Sequence, residues 1–503
     1  MTTAPLIKAI LSANVYQAAI ETPIQRAKFL SAKWDNNIWI KREDLQPVYS
    51  FKIRGAFNKM RQLSEAQLAK GVVAASAGNH AQGVAFSAKQ LGCKATIVMP
   101  KTTPSTKING VKSFGGKVVL HGDAFDEALA HAIELVEAEG SVFIPPYDDW
   151  EVIAGQGSMG IEILKQLTDP IDILFLPVGG GGLAAGVSAY IKYVNPDIKI
   201  VAVEPEDAAC LKVALEDKKR TTLKEVGLFA DGVAVAQIGK RPYDILKETV
   251  DDVVTASTDD ICDAIKDIFE DTRSIAEPAG ALSLAGLKNY CKANNLSGKN
   301  LVVIESGANT NFDRLRYICE RSHSGEKREA VFSVQIPEKV GSFKKFCQTI
   351  GKRNISEFNY RYNDESSAQI FLGVEIKSSD DKVQLVTKLE SMDYGVKDLS
   401  DNDMAKDHVR YMVGGRSQQG LNERVYTFEF PERPGALMNF LASLGNRWSI
   451  SMFHYRNHGS AWGRVLVGLL ADDTDANALK DVFDSLGYPF KDETENPAYS
   501  DFL

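Results

Sequence analysis

Residues 173–194 read ILFLPVGGGGLAAGVSAYIKYV. The run Ile173–Val178 is apolar without alternation, as a strand buried on both faces requires. Gly179-Gly180-Gly181-Gly182-Leu183 follows and leads into a helix over Ala184–Val194. Consecutive glycines offer several backbone donors to a phosphate at a helix N-terminus, with no side chains in the way. The same alternation extends to both sides. Val72–Ala75, Ala95–Met99, Lys117–Leu120, Ile198–Val203 and Leu301–Ile304 are further predicted buried strands. Between them, Asp123–Glu139 carries Phe125, Leu129, Ile133 and Val136 at helical spacing. This pattern predicts an α/β fold of parallel or mixed sheets with helices on both faces. Over residues 1–320 it predicts two sheet subdomains around one cleft, with ligands beyond the carboxyl ends of the strands.

The chain has 503 residues, of which 44% are hydrophobic and 25% charged, ordinary values for globular domains with full cores. Its 58 basic and 66 acidic residues leave a net charge of −8, which is no polyanion-binding balance, so nucleic acid is not an expected partner. No apolar stretch approaches the length of a membrane span. The opening MTTAPLIKAILSANVYQ lacks the features of a secretory signal. Cys93, Cys210, Cys262, Cys291, Cys319 and Cys347 lie too far apart for a zinc site or a disulfide framework. A cytosolic enzyme with reduced thiols is expected.

Three more segments carry candidate chemistry. In Ser50-Phe51-Lys52-Ile53-Arg54-Gly55, a lysine beside an aromatic ring can be partly desolvated and lowered in pKa, the condition for an amine to attack a carbonyl. The plainer alternative is a surface lysine lying along its own stem. Ser76-Ala77-Gly78-Asn79-His80-Ala81-Gln82-Gly83 follows a strand and opens a helix, a nest suited to a carboxylate. Capping explains Ser76 and Gly78 but gives Asn79 no purpose; His80 is expected to be a packed core histidine. Ser306-Gly307-Ala308-Asn309 puts a hydroxyl at a strand's carboxyl end, and Glu277-Pro278-Ala279-Gly280 puts a carboxylate ahead of a helix. Either could be ordinary capping.

The glycine turn admits a rival. Gly180-Gly181-Gly182-Leu183-Ala184-Ala185 fits GxGxxA, and Glu204 ends the next strand about 20 residues on, the spacing of a dinucleotide fingerprint. An NAD-dependent oxidoreductase is therefore an alternative, though it leaves the other three segments unexplained. A catalytically silent amino-acid sensor is another.

Beyond the charged stretch Glu320–Glu329 the character changes. Pro337, Gly341 and Gly351 align with Pro431, Gly435 and Gly445. After a one-residue shift, Ile355 and Tyr360 align with Ile450 and Tyr455. This internal duplication predicts two small α+β units, residues 329–402 and 423–495, after a linker at 321–328. Each copy is predicted as a strand, a Pro–Gly turn, a helix and a second strand, and the two copies can bury faces against each other.

Taken together, SFKIRG, SAGNHAQG, GGGGLAAG, AEPAGA and SGAN resemble the fold-type II (tryptophan synthase β-like) pyridoxal-phosphate enzymes. With the duplicated tail, the whole chain is similar to the biosynthetic threonine dehydratases, whose tails are ACT-like regulatory units. The resemblance implies a pyridoxal 5′-phosphate lyase converting L-threonine to 2-oxobutanoate and ammonia in isoleucine synthesis. It also implies inhibition by isoleucine, relief by valine, and a homotetramer. L-Serine is the competing substrate, and serine dehydratase, serine racemase and threonine synthase are the competing activities. Carried onto this chain, Lys52 would be the Schiff-base lysine and general base, with Phe51 against the cofactor ring. Asn79 would bond the ring 3′-oxygen, Gly179, Gly180, Gly181, Gly182 and Leu183 would hold the phosphate, and Ser306 would face the pyridine nitrogen. Ser76, Ala77, Gly78 and Asn79 would receive the substrate carboxylate. Some relatives bind a cation after Glu204-Pro205; here Cys210 stands where a second carboxylate sometimes does, so no metal is expected. Tyr360, Tyr455 and the turns after Pro337 and Pro431 are the expected effector surfaces, with core packing the alternative for the tyrosines.

Overall fold

The computed structural model describes residues 3–325, 329–337, 342–351, 353, 355–362, 367–409, 422–431, 436–444, 447–456 and 462–502. The chain divides into two units, Met1–Ser322 and His323–Leu503.

The first unit holds two sheets. In the larger, six strands lie in the order Ile24–Arg26, Asn37–Arg42, Asn300–Glu305, Ile173–Pro177, Lys199–Pro205, Asp252–Ala256. All pairings are parallel except the first, which is antiparallel. The absence of polar alternation has a direct cause, since both faces are covered. Leu301 and Val303 enter one core with Phe175 and Val201, beneath the helices Thr258–Thr272 and Pro278–Asn294. Their neighbours Val302 and Ile304 enter another core with Leu174 and Leu176, beneath Thr3–Ser12, Trp150–Gln166 and Gly182–Val194. The smaller sheet is all parallel, in the order Lys117–Leu120, Ala95–Met99, Val72–Ala75, Val142–Phe143.

Two local readings need correction. Lys117–Leu120 is a half-exposed edge strand rather than a buried one, because it has a neighbour on one side only. In the helix Phe125–Glu139 the residues with no exposure are Ala128 and Ala132, while Phe125 and Ile133 reach solvent. Leu129 and Val136 of the same stripe do pack against the core that holds Ala128 and Ala132.

The second unit contains the duplication, but each copy is larger than its predicted strand, helix and strand. The first copy runs through Glu329–Pro337, helix Ser342–Ile350, Ile355–Tyr362, Ser367–Glu375, helix Ser379–Glu390 and Gly395–Asp398. The second repeats this with Glu423–Pro431, Ala436–Leu444, Ser449–Arg456, Trp462–Leu470, Ala476–Leu486 and Phe490–Asp492. Each forms an antiparallel four-stranded sheet with its strands in the order second, third, first, fourth. A register shift falls at Ile355/Glu357 in one copy and at the matching Ile450/Met452 in the other. Val331 and Phe371 of the first copy share a core with Val425 and Leu466 of the second. No helix among the described residues is long and apolar enough to cross a membrane.

Candidate active site

Neighbouring strands of the larger sheet deliver two of the four segments side by side. Asn300–Glu305 and Ile173–Pro177 pair in parallel and release Ser306 and Gly179 at the same sheet end. The lysine segment is then sewn to the first of these. Ser50 bridges Gly307, the Phe51 amide donates to the Ser306 carbonyl at 3.2 Å, and the Ala308 amide donates to the Tyr49 carbonyl at 2.9 Å. Lys52 therefore opens the helix Lys52–Arg61 directly beside Ser306. Its Nζ donates to the Pro146 carbonyl at 3.1 Å and lies 5.2 Å from the Phe51 ring centroid. Burial pushes the ammonium down to about 8, against the opposing pull of the Glu277 carboxylate.

The glycine turn bends where Gly181 takes φ +87°, a left-handed conformation that β-carbons resist, and Gly182 starts the following helix. Its neighbours are glycines for a second reason. A β-carbon at Gly180 would strike the Tyr147 ring, and one at Gly179 would lie 2.7 Å from the Val233 Cα. The carbonyls are engaged, Gly180 with the Gly239 amide at 3.2 Å and Gly181 with the Ala185 amide at 2.9 Å. The first amides of a helix have no acceptor within it, so this turn presents N–H groups and positive potential together.

Asn79 opens the helix Asn79–Leu91. Its Nδ2 donates to Glu277 Oε1 at 2.5 Å, and its Oδ1 accepts from Asn309 Nδ2 at 2.7 Å. Upstream, Ser76 Oγ accepts the Gly78 amide at 3.2 Å, and a β-carbon at Gly78 would meet no atom within 4 Å. Ser306 is buried and donates its hydroxyl to the Ala279 carbonyl at 3.2 Å. The glycines of AEPAGA and SGAN explain each other, since a β-carbon at Gly280 would strike the Gly307 carbonyl. His80 is a core histidine. Its Nε2 meets the Ile144 carbonyl at 2.8 Å, and burial together with Lys52 pushes it down to about 3, which keeps the ring neutral.

The dinucleotide alternative fails on its acidic residue. Glu204 is fully buried, and its two carboxylate oxygens accept the Leu211 and Lys212 amides at 2.7 and 2.8 Å. That carboxylate is committed to the start of the helix Cys210–Glu216 and cannot reach a ribose. Cys210 donates its thiol to the Gly179 carbonyl at 3.5 Å, supporting the glycine turn. Among the described residues, no three His, Cys, Asp or Glu side chains are grouped to hold a metal ion. In the second unit the register sets Tyr360 opposite Ile370 and Tyr455 opposite Val465, equivalent places in the two copies. The tyrosine side chains, and the turns after Pro337 and Pro431, lie outside the described residues.

The sequence profile of pyridoxal-phosphate dependent enzymes matches residues 15–307, and that of the C-terminal regulatory domain of threonine dehydratase matches twice, at 320–409 and 414–503. The biosynthetic L-threonine dehydratase of Pasteurella multocida is 53% identical over 503 residues, covering 100% of this chain and 98% of that protein. The Escherichia coli protein of the same description is 52% identical, covering 99% of this chain and 97% of its own. This chain belongs to the biosynthetic threonine dehydratase family. It is accordingly a pyridoxal-phosphate-dependent lyase that deaminates threonine, with a regulatory domain in two copies. Among solved structures, the processed form of threonine deaminase isoform 2 from Solanum lycopersicum matches with a TM-score of 0.62 and 47% identity, covering 64% of this chain and 93% of that one.

The residues present fit this family's cofactor. An aldehyde needs an amine of lowered pKa, which Lys52 offers. A phosphate needs backbone donors at a helix start, which the 179–183 turn offers without β-carbons in its first four places. A pyridine nitrogen can meet the neutral Ser306 hydroxyl. Glu277 is the participant that sequence reasoning left as a cap; its place before Pro278 was visible, its direction was not.

Proposed function

We propose that Lys52 attaches the cofactor and serves as general base, within a threonine dehydratase whose two tail units sense isoleucine and valine. The observation that supports the first part is the backbone seam between Ser50-Phe51 and Ser306-Gly307, which joins the lysine segment to the strand end that carries Ser306. Gly179, Gly180, Gly181, Gly182 and Leu183 hold the phosphate, Phe51 flanks the ring, Asn79 donates to its 3′-oxygen, and Ser306 meets its nitrogen. When bound, pyridoxal phosphate supplies an electron sink conjugated to the substrate's amino nitrogen. Ser76, Ala77, Gly78 and Asn79 orient threonine by its carboxylate. Lys52, displaced by the substrate's amine and unprotonated, takes the Cα proton. The β-hydroxyl then leaves as water, and hydrolysis of the released enamine, which takes a water back, gives 2-oxobutanoate and ammonia.

Ser306 bears on the outcome. A carboxylate there would keep the ring nitrogen protonated and favour side reactions; a neutral hydroxyl favours elimination. Ser306→Asp should therefore raise racemisation or amino transfer relative to keto-acid release, read by chiral chromatography. An unchanged partition refutes this role.

Residues 329–402 and 423–495 are the two regulatory units, with effector surfaces at Tyr360 and Tyr455. The enzyme is assigned to the first step of isoleucine synthesis, inhibited by isoleucine and relieved by valine, as a cytoplasmic homotetramer. The match of the tail to the regulatory domain of threonine dehydratase supports the effector-sensing part of this reading. Keto-acid release from threonine and from serine, each with and without isoleucine and valine, is the test. Faster turnover of threonine, suppression by isoleucine and recovery with valine are expected; indifference to both effectors overturns the regulatory reading.

A further inference from the structure

Glu277 stands at the start of the helix Pro278–Asn294, where a carboxylate ordinarily accepts the first amides of its own helix. It makes no such bond. Its side chain is 5% exposed and turns instead toward the cleft, accepting the Asn79 amide at 2.5 Å. The surroundings are built to keep it there. The Glu277 amide donates to the Gly307 carbonyl at 3.1 Å, and a β-carbon at Gly307 would strike Oε1. Burial and the nearby Asp231 carboxylate, itself paired with Lys107 and Arg314, push the Glu277 carboxyl up to about 7.

An asparagine amide has two donor hydrogens and one acceptor oxygen. At Asn79 the oxygen is taken by Asn309 and one hydrogen by Glu277. While Glu277 is ionised, this pairing admits only one of the two amide orientations, because a flipped Asn79 would set its oxygen against the carboxylate and its NH2 against the Asn309 donor. We propose that Glu277 is a positioning residue that locks the Asn79 side chain, so that a single amide hydrogen is left to meet the cofactor. The inference rests on the role given to Asn79 above.

The test is the dissociation constant of pyridoxal phosphate from the full chain, read by fluorescence, in Glu277→Ala, Glu277→Gln, Asn79→Ala and the double variant Glu277→Ala/Asn79→Ala. Glu277→Ala should weaken cofactor binding by about tenfold, the effect of losing one well-placed hydrogen bond. Glu277→Gln keeps an acceptor oxygen for the Asn79 amide but can also offer its NH2 to a flipped Asn79, so its loss should fall between the parent and Glu277→Ala. The double variant should be no worse than Asn79→Ala alone, since a group acting through another is not additive with it. Additive losses, or a Gln variant as weak as the Ala variant, overturn the proposal. If Glu277→Ala does not fold, Glu277→Leu, which fills similar space without an acceptor, is read in its place, alone and together with Asn79→Ala, with the same expected outcomes. An Asn79→Ala enzyme that binds the cofactor normally overturns the role of Asn79 itself, whereas a weakened Asn79→Ala beside an unaffected Glu277→Ala overturns this inference alone.

Discussion

Lys52→Ala is expected to yield a folded protein with no covalently held cofactor and threonine deamination reduced by more than about a hundredfold, the lower range for losing a positioned general base. The fold should tolerate the change, because the Lys52 side chain makes one hydrogen bond, to the Pro146 carbonyl, and the helix Lys52–Arg61 is held by other residues. Borohydride reduction of the parent enzyme followed by peptide mass mapping should place the adduct on Lys52; an adduct at another lysine overturns the assignment. The pH dependence follows from the same nitrogen. Only the unprotonated amine attacks an aldehyde, and burial brings Lys52 down to about 8. The rate of cofactor uptake by apoenzyme should therefore rise as pH increases through about 8, and level off above it. A surface lysine with an ordinary pKa of about 10.4 would still be rising there.

The parts of this site that were legible in the sequence are those written in contiguous residues. A four-glycine turn after an apolar run, a lysine beside a phenylalanine, and a serine at a strand end each state a local geometry, and the strand order brings them to one sheet end. What was not legible is what depends on direction across the fold. Tyr147 lies against the glycine turn from more than 30 positions upstream, so the glycines look like phosphate donors and not also like clearance for a ring. Glu277 reads as a cap because its helix is contiguous with it, while Asn79 is far away in the chain. Glu204 shows the converse failure. Its spacing from the glycines satisfied a fingerprint, but the next helix begins where its carboxylate ends, and the amides of Leu211 and Lys212 claim it first. In the tail, the repeat was visible because both copies spell it in the same order. The later strands and second helix of each copy were not read, because the matched Pro, Gly, Ile and Tyr positions end at the second strand.

The same limit hides the most consequential residue outside the site. Arg54, two positions beyond Lys52, reads as one more basic residue, yet it has no exposed surface. Its Nε and Nη2 donate to the two oxygens of Glu43 at 2.7 Å each, and its Nη1 donates to Glu162 at 2.6 Å. Lys41, also buried, donates to the other Glu162 oxygen at 2.6 Å, so two acids and two bases close a neutral group. Arg54→Leu leaves a net negative charge inside the protein. The expected loss is about 3–5 kcal/mol, the range for breaking one side of a buried pair, against under about 1 kcal/mol for an exposed pair. Because the chain has two units, one global unfolding energy is ill defined, and the loss should be read by hydrogen exchange of peptides covering 52–61 and 150–166. Glu43→Leu with Arg54→Leu restores neutrality by leaving Lys41 with Glu162, and should cost less than the two single changes added together. Cofactor uptake at low temperature should survive in Arg54→Leu, since the bonds that place Lys52 run through Pro146 and the Ser306 backbone and not through Arg54. A loss below about 1 kcal/mol, the worth of a surface pair, would mean that water reaches Glu43 and Glu162 once the guanidinium is gone.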